Sequence, residues 1–216
     1  MKTKFKNQKK IIRSWTGALL IISGILIIIL PFAHNTYLRH SNARDAQQMI
    51  DELSTAAPNP LEAAETTLEE EEPEELLPAP GILVIPAIDL ITVVNYGVEE
   101  EDLKKGPGFY PQSGYPDHSN VSIAAHRGVY GAPFRHVDKL QEGDELFLYY
   151  RGKKYIYEFT ERFITHSRDW SVIEPTPEPA LTLTTCPLTD YEERRMIIRS
   201  TLIDVVELNA HIGYNY

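Results

Sequence analysis

The residues best suited to chemistry are a single cysteine and the cationic side chains that could serve it. Cys186, the only cysteine in the chain, ends the run Ala180-Leu-Thr-Leu-Thr-Thr and is followed at once by Pro187. A strand end closed by proline is a rigid place to hold a nucleophile at the rim of a cleft. Thiol chemistry requires thiolate, a minor form at the ordinary cysteine pKa of about 8.5, so a basic or cationic neighbour is needed. Of the seven histidines, His126 is distinguished by position. It follows Val-Ser-Ile-Ala-Ala at a second strand end and precedes Arg127-Gly128. On type and spacing alone it suits a packed structural role equally well. Acyl transfer also needs a group to neutralise charge developing on the former carbonyl oxygen. An arginine on a strand beside the cysteine strand fits, being permanently charged and rich in donors. Arg194, Arg195 and Arg199 are available, and strand alternation puts Arg195 and Arg199 on one face with Arg194 opposite.

The elements that would position these residues are short and β-rich. Runs of β-branched and aromatic residues separated by Gly, Pro, Asp and Asn predict strands at Ile82–Ile85, Ile91–Asn95, Val121–Ala125, Glu145–Tyr150, Lys154–Thr160, Phe163–Ser167, Ala180–Thr185 and Met196–Val206. Arg151-Gly152 reads as a hairpin turn, and the last strand as either one bent strand or two. Helical signal is confined to Glu99–Lys105 and a turn or two within Pro133–Leu140. About eight strands in a domain of this size imply a small closed barrel or a sandwich.

Upstream of residue 81 the composition changes twice. Six basic residues and no acid occupy positions 1–13, while the remainder carries 15 basic against 31 acidic residues. Residues 14–33 contain no ionisable side chain, enough apolar helix to cross about 30 Å of hydrocarbon. The apolar run exceeds the usual signal-peptide core, and Pro31-Phe32-Ala33-His34-Asn35 gives no good pair of small residues for cleavage, so a retained anchor is expected. The basic end should stay in the cytoplasm and the carboxyl-terminal domain outside. Residues 34–80 read as a stalk: a polar stretch to about Gln48 that could prolong the helix, then Glu- and Pro-rich sequence whose charges repel one another. The domain proper is 81–216. A net charge of −10 excludes the basic footprint of nucleic-acid binding. A lone exported thiol forms no internal disulfide, and without further support would be read as a small buried hydrophobe.

The motifs together resemble those of the sortases. Thr182-Leu183-Thr184-Thr185-Cys186 is similar to their Thr-Leu-X-Thr-Cys signature, Ala125-His126-Arg127 to their histidine segment, and Arg195-Met196-Ile197-Ile198 to their arginine strand. The order His, Cys, Arg agrees, and the resemblance spans about Gly81 to Val206. Lys105-Gly106-Pro107-Gly108-Phe109-Tyr110-Pro111 and Tyr130-Gly131-Ala132-Pro133-Phe134 also contribute. The resemblance implies an all-β, closed eight-stranded barrel with one or two short helices. It further implies a cysteine transpeptidase that cleaves a Leu-Pro/Ala-X-Thr-Gly/Ala sorting signal through a thioacyl intermediate. The partners implied are surface proteins bearing that signal and a cell-wall amine, from a peptidoglycan precursor or cross-bridge. On the matching positions it makes Cys186 the nucleophile, His126 its proton partner and Arg195 the oxyanion stabiliser, with Arg194 in reserve. Thr185 and Tyr110 become candidate substrate contacts. No metal and no cofactor is called for. The chain has no Asp-Pro-aromatic lid and no long helical insert between Ser167 and Thr182, and its Tyr130-Gly-Ala-Pro-Phe134 and Trp170–Cys186 segments look most like those of classes D and E. An L,D-transpeptidase differs at the nucleophile, where it resembles Ser-His-Gly-Cys, and an inactive binding module of the same fold predicts an inert Cys186.

Overall fold

The computed structural model describes residues 2–55, 80–187, 189 and 193–208. Eight strands close into a barrel: β1 (Gly81–Ile85), β2 (Leu90–Tyr96), β3 (Gly108–Phe109), β4 (Asn120–Ala124), β5 (Glu145–Tyr150), β6 (Lys153–His166), β7 (Ala180–Thr185) and β8 (Arg194–Glu207). Their order around the barrel is β1-β2-β3-β4-β7-β8-β6-β5, and β5 returns to pair with β1. Two pairs are parallel, β2 with β3 and β4 with β7; the others are antiparallel.

The strand count matches expectation, but its composition differs. Lys154–Thr160 and Phe163–Ser167 are one strand, β6, which shifts register against β8 at Ile156/Tyr157 and at Phe159/Glu161. Such bulges bend a long strand around a barrel without ending it, so the polar Thr160-Glu161-Arg162 is a bend and not a turn. The long carboxyl-terminal run is likewise one strand, β8. The eighth strand is the two-residue β3, which lay unread within the Lys105–Pro111 segment. Of the expected helices, α2 (Glu100–Leu103) falls inside Glu99–Lys105, and Pro133–Leu140 yields one 3-10 turn, Val137–Lys139.

Alternation sorts the barrel into two faces. Leu83, Ile85, Ile123, Leu146, Leu148, Tyr155, Tyr157, Leu183 and Ile198 fill the interior. Yet β1, β4 and most of β7 are buried at every position, so their outward faces are covered too. Strands covered on both faces lose polar alternation, which is why β1 reads as the unbroken Ile-Leu-Val-Ile.

The cover on β1 is helical. Helix α1 runs from Lys2 to Thr55 without interruption. Within it, Leu19–Leu53 includes the one described segment long and apolar enough to cross a membrane. Ala46 and Ile50 are buried against Ile82, Val84 and Tyr149, with Met49 and Leu53 beside them. Asn42 Nδ2 donates to the Lys105 carbonyl at 3.1 Å, and an Arg39 guanidinium nitrogen to that of Asp89 at 3.3 Å. Residues 34–55 are therefore docked helix and not stalk, because Ala46, Met49, Ile50 and Leu53 repeat with helical spacing and find an apolar sheet face. The Glu- and Pro-rich remainder, 56–79, lies outside the described residues.

Candidate active site

Register brings the three sequence candidates together. In the parallel pair, Ala124 lies beside Thr184; in the antiparallel pair, Thr185 lies beside Met196. The first ladder continues past its last pair, since the Ala125 N–H donates to the Thr184 carbonyl at 3.2 Å. Carried two residues past Ala124/Thr184 in the first pair and one past Thr185/Met196 in the second, the registers set His126 beside Cys186 and Cys186 beside Arg195. Because Ile123, Leu183 and Ile198 point inward, side chains of this row point outward. All three are partly exposed and line one groove of about 270 Å³.

Ala124, Thr184 and Ile197, two residues further back on the same face, are buried and also line the groove. One wall is formed by Ser167, Asp169, Trp170, Val172 and Ile173; Tyr110, Val98 and Leu103 also line it. The 170–174 wall is tied down by a buried polar cluster on the outward face of β4 and β7. Asn120 Nδ2 donates to the carbonyls of Val172 and Glu174, at 3.2 and 3.1 Å, and Thr182 Oγ1 donates to Asn120 Oδ1 at 2.7 Å. Ser122 Oγ donates to the Ile173 carbonyl at 3.3 Å, and Arg199 to that of Val172 at 3.0 Å. Neither Asn120 nor this cluster was singled out from sequence. Their signal was the polar alternation of Asn120 and Ser122 within an otherwise apolar run.

His126 stands partly buried, its ring 5.1 Å from that of Tyr130, and its Nε2 is buried with no hydrogen-bond partner among the described residues. Burial lowers its pKa from the ordinary 6.5, with the Glu100 carboxylate pulling weakly the other way. The loop it opens is fixed from both sides. Arg127 turns away from the groove to pair with Asp138 at 2.9 Å, and the Phe134 N–H donates to the His126 carbonyl at 3.1 Å. On the other side Thr185 Oγ1 donates to the Ala125 carbonyl at 2.7 Å, joining the residue before the cysteine to the residue before the histidine.

The arginines separate as alternation predicts. Arg195 lines the groove, where its charge acts on Tyr110, and it donates to the Arg194 carbonyl at 2.8 Å. Arg199 shares its face but serves the wall, and Arg194 is exposed opposite His166, away from the groove. Tyr110 shares a hydrogen bond with Thr184 Oγ1 at 2.9 Å; burial raises its phenol pKa, which that bond and Arg195 oppose. Among the described residues no group of three or more His, Cys, Asp or Glu side chains converges as a metal site would require.

A thiol flanked by an imidazole and a guanidinium along one groove is equipped for acyl transfer. Comparison with known proteins agrees. A family profile described as "Sortase domain" matches residues 83–203. Sortase D of Bacillus subtilis (strain 168) is 32% identical over 149 residues, covering 65% of this chain and 74% of that protein. Among solved structures, sortase E from Streptomyces avermitilis is 30% identical with a TM-score of 0.53, covering 62% of this chain and 93% of that one. A Clostridium perfringens sortase D5 transpeptidase is 26% identical with a TM-score of 0.58, covering 78% and 99%.

Proposed function

This chain belongs to the sortase family of cysteine transpeptidases, and from that premise we propose that Cys186, His126 and Arg195 are its catalytic residues and a C-terminal sorting signal its substrate. The observation that carries this reading is the single outward row formed by the three residues across β4, β7 and β8. The Cys186 thiolate attacks the carbonyl carbon of the Thr-Gly or Thr-Ala bond in a Leu-Pro/Ala-X-Thr-Gly/Ala signal. Negative charge passes to the carbonyl oxygen, where the Arg195 guanidinium meets it with directed donors. The tetrahedral species collapses, the C–N bond breaks, and His126 as imidazolium gives its proton to the leaving amine. A cell-wall amine then attacks the thioester, returns a proton to His126 and expels Cys186 as thiolate. One peptide bond is exchanged for another, and no redox step or cofactor is needed.

Tyr110 lines the groove and suits contact with the signal's backbone or second side chain. Thr185 also borders it, but its hydroxyl is bonded to Ala125, so its contribution is to hold the cysteine and histidine strands in step. The apolar part of α1 anchors the chain, with the basic residues 1–13 cytoplasmic and the barrel outside. Its clients are surface proteins carrying the signal.

The test is cleavage of a panel of signal peptides by the full chain in detergent, with mass spectrometry for a thioester on Cys186. Wild type should yield both the adduct and, with an added amine, the transpeptidation product. Cys186→Ala should yield neither. Turnover that survives the substitution would remove Cys186 from the mechanism.

A further inference from the structure

Helix α1 passes from the apolar run to the barrel without a break, so the chain itself measures how far the groove stands from a membrane. Trp15 and Tyr37 are both exposed, at 71% and 70%. The helix between them is about 33 Å long at 1.5 Å per residue. That is the hydrocarbon thickness of a bilayer bounded by an aromatic residue at each edge, which puts Tyr37 in the outer headgroup layer.

At this level α1 already touches the catalytic domain. Asn35 Oδ1 accepts a hydrogen bond from the Gly131 N–H. Gly131, with a φ of +79°, stands in ordinary packing contact with Leu38 and Arg39, since a Cβ there would lie 3.5 Å from the Arg39 nitrogen. The loop holding Gly131 leaves β4 through His126, and its Val129 and Tyr130 are 51% and 36% exposed. Beside it lies a cationic group in a protein of net charge −10. Arg39, Arg135 and Lys139 are exposed, and His136, besides its partial burial, is held toward its neutral form by all three charges. The nearby Asp138 carboxylate is paired with Arg127.

Resting on the membrane anchoring proposed above, we infer that this corner of the barrel docks on an anionic bilayer surface. Val129 and Tyr130 enter the headgroup layer while Arg39, Arg135 and Lys139 face lipid phosphates, so the groove opens at the membrane surface. Apolar and aromatic side chains backed by Lys and Arg are the combination that binds such interfaces. The far end of the docked helix provides an internal reference: Leu53 lines a hollow with Arg151 of the β5–β6 turn, about 27 Å beyond Asn35 along the axis.

The test uses the full chain carrying Cys186→Ala, with a nitroxide at Val129→Cys or at Arg151→Cys. The chain is reconstituted in phosphatidylcholine vesicles with or without phosphatidylglycerol. Relaxation by a nickel-chelating lipid should exceed that by soluble nickel several-fold at position 129, and the ratio should reverse at 151. Phosphatidylglycerol should strengthen the contrast, and Arg135→Glu with Lys139→Glu should weaken it. Equal ratios at the two positions, in a chain that floats with the vesicles, overturn the docking. A chain that does not float overturns the anchoring itself, and the docking with it. A contrast indifferent to both phosphatidylglycerol and charge reversal overturns the assignment of anionic lipid.

Discussion

A positive charge near a developing oxyanion helps by Coulomb attraction, but a guanidinium also offers planar paired donors that an ammonium lacks. Arg195 projects into the groove from the position beside Cys186, so geometry as well as charge is at stake. Arg195→Lys is expected to lower kcat by about 10²- to 10³-fold, the range for removing an oxyanion donor, with a smaller change in KM. Arg194→Lys, on the opposite face, should leave steady-state rates near wild type. His126 allows a pH prediction with a definite sign. Burial depresses its folded pKa, so an NMR titration of Cys186→Ala should give a His126 midpoint below 6.5. The accompanying stability is intact above the unfolded value and is lost as the pH falls through the lowered folded one, because protons then favour the unfolded chain. A midpoint above 6.5 would mean that a carboxylate outweighs burial. Cys186, His126 and Arg195 could be named as candidates from sequence because each has a chemically distinctive type at a strand end. The His126 environment was not, since it depends on Tyr130 and on the loop fixed by Arg127 and Asp138.

Elements enter where a residue serves the site only by holding a strand or wall. Asn120 is fully buried and divides its amide between the Val172 and Glu174 carbonyls and the Thr182 hydroxyl. Asn120→Ala removes its bonds to the Glu174 carbonyl and the Thr182 hydroxyl, while the Val172 carbonyl keeps Arg199, and should cost about 1 to 3 kcal/mol in chemical denaturation. It should also raise KM for a signal peptide more than it lowers kcat, because the wall loosens while the Cys186 row is unchanged. A kcat loss alone would tie Asn120 to the chemistry. The wall was unreadable from local pattern, since its anchors on β4, Asn120 and Ser122, lie more than fifty residues away along the chain. β3 escaped for a different reason. A Cβ on Gly108 would sit 1.8 Å from the Gly97 carbonyl oxygen, so this strand needs glycine for close approach to β2, and glycine carries no strand signal. The apolar interiors of β1, β4 and β7, by contrast, announced themselves because burial demanded β-branched and aliphatic side chains.

At the scale of the molecule, α1 decides what counts as the folded unit. Ala46, Met49, Ile50 and Leu53 carried the helical period in plain view, but the Glu- and Pro-rich sequence that follows made the whole region read as spacer. Ile50 is 1% exposed and packs on the outward face of β1 with Ile82 and Val84, a face that would otherwise be an apolar surface in water. Ile50→Ala is therefore expected to destabilise a soluble chain beginning at residue 34 by about 2 kcal/mol, at the low end for an aliphatic deletion because the site is at the rim of the core. Gln48→Ala, on the exposed side, should change stability by less than about 0.5 kcal/mol. Starting the chain at residue 81 strips the helix entirely and should lower the urea midpoint further than Ile50→Ala does. If the fragment from 81 instead unfolded at the same midpoint as the chain from 34, α1 would only lean on a barrel that is complete without it.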